Sequence, residues 1–112
     1  EAYELLIAIK GSLKTGGSAI FRTPNMASIF GNYSRYIDLT HLHGYTEFSF
    51  SQLLNAVEFG KINIHIPNWP RGHKLTRKLN ISRRISQFIF SLQDRSTPSS
   101  FEKNITVSAQ KN

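Results

Sequence analysis

A chain of 112 residues has room for one domain and not for two, at ~100–200 residues per domain. It holds no cysteine, which excludes a disulfide framework, thiolate metal sites and thiol catalysis and fits a reducing compartment. Fourteen Lys and Arg against seven Asp and Glu give a net charge of +7, and 39% hydrophobic with 12% aromatic residues excludes a disordered composition. No apolar run reaches the ~18 residues of a membrane-spanning helix. The first residue is Glu1 rather than Met, as expected where an upstream segment has been removed.

Residues 3–13 alternate, with Tyr3, Leu5, Ile7, Ile9 and Leu13 on one side, and this period of two predicts a half-buried strand that Gly16 and Gly17 break. Thr23 and Pro24 then read as a helix start, followed by Met26, Ile29, Phe30, Tyr33 and Ile37 at helical spacing. Gly31 weakens such a helix unless another element must approach closely there.

A second helix carries the clearest local signature. Ser49 and Gln52 form a capping box, Phe48 and Leu53 a hydrophobic staple, and Phe50, Leu53, Leu54 and Val57 one apolar stripe. Gly60 is placed to end it in a left-handed conformation. Residues 61–66 alternate again, as a strand with Ile62, Ile64 and Ile66 on one face. Pro67 and Pro70 end this strand and hold Trp69 in a constrained turn, before a basic loop that runs to about Leu79.

Residues 81–93 satisfy two templates. Ile85, Phe88, Ile89 and Leu92 fit a helical face, whereas Phe88, Phe90 and Leu92 fit one face of a strand, and the richness in β-formers favours the strand. Residues 105–109 read as a short last strand, with a mobile polar tail from about 108. The expected fold is α+β: a single small domain, 1–112, with a mostly antiparallel sheet packed against two or more amphipathic helices.

The charge is concentrated. Residues 1–58 hold four basic and five acidic side chains and residues 94–112 three and two, but residues 59–93 hold seven basic and no acidic ones. Lys61, Arg71, Lys74, Arg77, Lys78, Arg83 and Arg84 are thus the candidate anion-binding residues, for lipid or nucleocapsid, with Trp69 as a possible interface anchor. His41 and His43 lack a nearby carboxylate to complete a zinc site, so no metal is expected. No carboxylate dyad, nucleophile elbow, Walker loop or dinucleotide fingerprint occurs, so neither a catalytic residue nor a cofactor is expected and the chain reads as a non-enzyme.

The order of elements resembles the globular core of rhabdovirus matrix proteins. An extended opening segment precedes Phe21, Arg22 and Thr23 and a helix with Tyr33 and Tyr36 near its end; the aromatic, polar and aliphatic run 50–60 ends in Gly60; and Ile85, Phe88 and Phe90 precede Gln93 and Asp94. The resemblance implies a viral structural protein that self-assembles between nucleocapsid and the inner face of the envelope and supports assembly and budding. Its implied partners are copies of itself, the nucleocapsid and an anionic membrane surface, and its implied location is the virion under the envelope, with host cytoplasm and inner membrane face. The alternative is a small basic RNA-binding module such as an organellar ribosomal protein, which a steep salt dependence of RNA binding would mark.

Overall fold

The computed structural model describes residues 1–66, 74–93 and 98–112, without the side chains of 74–77, 79 and 93. Its elements run α1 (Ala2–Ser12), β1 (Ser18–Pro24), α2 (Gly31–Tyr36), α3 (Glu47–Ala56), β2 (Gly60–His65), α4 (Lys74–Gln93) and β3 (Asn104–Gln110). The three strands form an antiparallel sheet in the order β1-β3-β2, so the last strand in sequence lies at its centre. This is the α+β arrangement expected from the sequence.

The core lies on one face of that sheet. Ile105, Val107 and Ala109 alternate inward from β3 and meet Leu54, Phe50 and Val57 of the α3 region and Leu6 of α1. Phe21 joins this layer from β1, meeting the rings of Phe50 and Phe59 edge-on at 5.9 Å each. The α3 stripe is therefore the stripe read from sequence. Its cap sits slightly earlier: the Thr46 hydroxyl accepts from the Ser49 backbone N–H, and the Ser49 hydroxyl accepts from the Thr46 N–H. At the other end Glu58, not Gly60, takes the left-handed conformation (φ 61°), and Gly60 opens β2.

Two expected strands are helices. In α1, Leu6 is buried and Ile9 and Leu13 are half-buried, at spacings of three and four, while the alternating Tyr3, Leu5 and Ile7 stay exposed. Lys10 extends this attachment by donating to the Val57 carbonyl at 2.7 Å. Ala, Leu, Glu and Lys also favour helix over strand, which composition by alternation alone overlooks. Residues 81–93 lie within α4, which begins at Lys74 and so replaces the later part of the expected basic loop as well. The matrix resemblance takes residues 3–13 as an extended segment and the segment from Ile81 as a strand, and both are helical here.

The helix expected to be capped by Thr23 starts seven residues later, at Gly31 with Phe30 as its cap. Thr23 and Pro24 finish β1, and the buried Asn25 redirects the chain: its side-chain oxygen accepts from Ala27 N–H, and its amide donates to the carbonyls of Ser100 and Glu102 at 2.9 and 3.0 Å. A side chain on Gly31 would sit 2.7 Å from the Asn25 carbonyl oxygen, so the close approach anticipated for this glycine is real. The tail does not lead away from the fold at 108. Ser108, Ala109 and Gln110 pair with β1, and Lys111 exchanges backbone hydrogen bonds with Gly16 and Gly17. Pro67, Trp69 and Pro70 lie outside the described residues.

The opposite sheet face is open. Ile20 and Arg22 of β1, with Asn63 and His65 of β2, are exposed there, beside half-buried Thr106 and Ser108. Among the described residues β1 pairs only with β3, which leaves its outer edge free. Ile20, 74% exposed, sits in the middle of that edge strand.

Candidate functional site

The pairing of Pro24 with Asn104 and of Thr23 with Ile105 brings the carboxyl end of β1 beside the amino end of β3. There α2 and the loop after it close a cleft of about 370 Å³, lined by Arg22, Thr23, Tyr33, Ser34, His41 and Lys103 together with apolar neighbours. Cationic, hydroxyl and imidazole groups thus converge on one concavity, and no carboxylate lines it among the described residues. Such a lining suits a polar or anionic ligand.

Two features mark the cleft as built. Ser34 is 5% exposed, and its hydroxyl is, among the described residues, the one buried side-chain polar atom without a hydrogen-bond partner. Buried polar atoms are normally satisfied, so this hydroxyl is an exception, and it lies on a residue of the cleft wall. His41 Nδ1 lies 3.0 Å from the Ser34 carbonyl, an acceptor, so in the neutral ring Nδ1 carries the proton and Nε2 the lone pair.

The loop that delivers His41 is organised by Asp38 and Arg35. The Asp38 carboxylate accepts from the backbone N–H and the hydroxyl of Thr40, both at 2.8 Å, while Arg35 donates to the Leu42 carbonyl at 2.7 Å. The backbone N–H of Thr40 first, and then its hydroxyl, hold the Asp38 carboxyl below its usual value. A depressed carboxyl stabilises the fold above the unfolded value of ~3.9, and this contribution is lost as pH falls through the lower folded value. The Thr40 amide resonance is expected to follow that low titration in an NMR pH series. Asp38→Asn is expected to abolish the titration; a midpoint at the ordinary carboxylate value would contradict the assigned contacts.

Of the sequence-selected cations, the described side chains of Lys61, Lys78, Arg83 and Arg84 face different surroundings. Lys61, the second residue of β2, lines a groove with Ser51 and Asn55 of α3. Arg83 is half-buried and lines a pocket with Ile29, Phe30, Phe101 and Glu102, whereas Lys78 and Arg84 are exposed on α4. Lys74 and Arg77 belong to the α4 backbone, with side chains outside the described set; Arg71 and Trp69 lie wholly outside it. The cleft residues escaped the sequence reading because they come from three separated segments that only the β1–β3 pairing assembles. By sequence His41 offers itself only as a metal ligand beside His43.

No protein-family model and no curated protein matches the chain. Among solved structures it is similar to a SAM-dependent methyltransferase from Archaeoglobus fulgidus, with 19% identity and a TM-score of 0.61. The alignment covers 98% of this chain and 52% of that one, so the chain spans about half the length of that protein. At this identity the likeness concerns the fold.

Proposed function

We propose that the chain forms one half of a methyltransferase-type fold and contributes the acceptor side of a methyl-transfer site. The carrying observation is a half-length structural match combined with an open sheet. The described residues leave the β1 edge unpaired, Ile20 exposed and one sheet face uncovered, as a half-fold awaiting its complement does. Larger doubly wound sheets commonly carry antiparallel strands at one edge of an otherwise parallel sheet, which is where β1, β3 and β2 would then stand.

The cleft residues do not fit the donor. S-adenosylmethionine carries a sulfonium cation and ribose hydroxyls, and nucleoside sites in open α/β sheets supply a glycine-rich turn and an acidic residue. Arg22 and Lys103 repel a cation, and no carboxylate faces the cleft among the described residues. Holding the donor therefore falls to the complementary half, and the cleft is left to the acceptor, through Arg22, Lys103 and Tyr33.

The missing nucleophile and carboxylate motifs do not weigh against this activity. A sulfonium donor brings its own leaving group, and placing the two reactants in line supplies much of the rate. No observation favours the matrix lattice, the nucleocapsid or RNA over this proposal.

The test is methyl transfer from labelled S-adenosylmethionine by the natural polypeptide in which this chain occurs. Arg22→Gln and Lys103→Gln are each expected to raise the acceptor KM about tenfold, the worth of one charge-assisted hydrogen bond, with donor affinity unchanged. Failure of that polypeptide to bind S-adenosylmethionine in calorimetry overturns the proposal.

A further inference from the structure

Helix α4 presents an apolar face that the rest of the described chain does not cover. Ile81, Ile85, Phe88, Ile89 and Leu92 recur at helical spacing within one stripe, and each is between 50% and 69% exposed. The other side of the helix is the attached one. Ser86 is buried, Arg83 is half-buried, and the Phe90 ring lies 5.2 Å from Phe101. The stripe therefore faces away from the sheet and its core.

The charge of the same helix identifies what suits that face. Its 20 residues include Lys74, Arg77, Lys78, Arg83 and Arg84 and no acidic residue. Lys78 and Arg84 are both exposed; Lys78 continues the line of the stripe one turn before Ile81 and Arg84 stands on one flank, from where long basic side chains reach headgroups while the apolar face lies deeper. A second copy packed stripe to stripe would set two acid-free basic helices against each other, at a Coulombic cost. Among the described residues no helix is long and apolar enough to cross a membrane. A basic amphipathic helix of this kind lies in the headgroup region, its apolar face sunk ~5–10 Å.

We infer that α4 is an in-plane anchor that docks the protein on an anionic lipid surface, with Ile81, Ile85, Phe88, Ile89 and Leu92 inserted and Lys78 and Arg84 against lipid phosphates. This function is separate from methyl transfer and stands whether or not that activity exists. It retains the membrane partner expected from the sequence and changes its basis, from a basic loop with Trp69 to a helix with an apolar face.

The test is co-sedimentation of the natural polypeptide in which this chain occurs with phosphatidylcholine vesicles, with and without phosphatidylserine. Binding is expected to be stronger with phosphatidylserine. Phe88→Ser with Leu92→Ser is expected to abolish it on both vesicles. Lys78→Gln with Arg84→Gln is expected to weaken it about fivefold per charge on phosphatidylserine vesicles only. All four side chains are exposed, so circular dichroism is expected to stay at the parent spectrum. Leu5→Ser with Ile20→Ser, on the other open faces, is the control and is expected to leave vesicle binding intact. Absence of vesicle binding overturns the inference. So does binding that the control abolishes and the α4 variants do not, or lipid-independent self-association that the α4 apolar substitutions remove.

Discussion

Asn25→Ala is expected to lower the unfolding free energy by about 2–4 kcal/mol, since each stranded buried polar group costs ~1–3 kcal/mol. Asn25 is 1% exposed, and its side chain satisfies three backbone groups: the carbonyls of Ser100 and Glu102 and the N–H of Ala27. Alanine leaves all three without their partner at the point where β1 turns toward α2. Asn25→Asp is expected to be at least as damaging, because it turns a carboxylate toward two carbonyl oxygens. Urea unfolding measures both, with the exposed Asn63→Ala as reference. A midpoint for Asn25→Ala equal to that reference would show that Asn25 does not tie the two segments together. The same variant is expected to loosen the cleft, since Pro24, Lys103 and Asn104 flank the junction it secures.

Leu54→Ala is expected to cost about 3–5 kcal/mol, in the upper part of the range for truncating a buried leucine. Leu54 is fully buried, between the α3 stripe and the inward residues of β3. The surroundings are a sheet on one side and the α1 and α3 helices on the other, which collapse poorly into a void, so the cavity term adds to the lost transfer energy. Leu53→Ala, one residue away and only partly buried, is expected to cost about 1–2 kcal/mol. Equal losses at the two positions in thermal or urea unfolding would contradict the packing. The pair also calibrates α3, the element whose buried face is clearest in the sequence.

That face was legible because the spacing of Phe50, Leu53, Leu54 and Val57 matches a helix and no strand template. The inward alternation of Ile105, Val107 and Ala109 was legible for the corresponding reason. The α1 segment misled because Tyr3, Leu5, Ile7 and Ile9 satisfy period two, while a single residue off that pattern, Leu6, is the one that reaches the core. In 81–93 the Ile and Phe content favoured a strand, but β-propensity largely reflects packing on a half-buried sheet. No sheet receives these residues, and the helical spacing prevailed. The Thr23 helix start failed through one side chain, Asn25, whose three hydrogen-bond partners include two more than 70 residues away.

The charge divides in the same way. Composition and order alone determined that the chain is basic and that residues 59–93 carry the excess, because charge is a property of residues and not of their arrangement. Only the tertiary structure decided that Lys61, Arg83 and the pair Lys78 and Arg84 face different surroundings, since burial and direction depend on which face of each element meets the core. It likewise created the Arg22 and Lys103 cleft, whose two cations lie 81 positions apart in the chain and become neighbours only through the antiparallel register of β1 with β3.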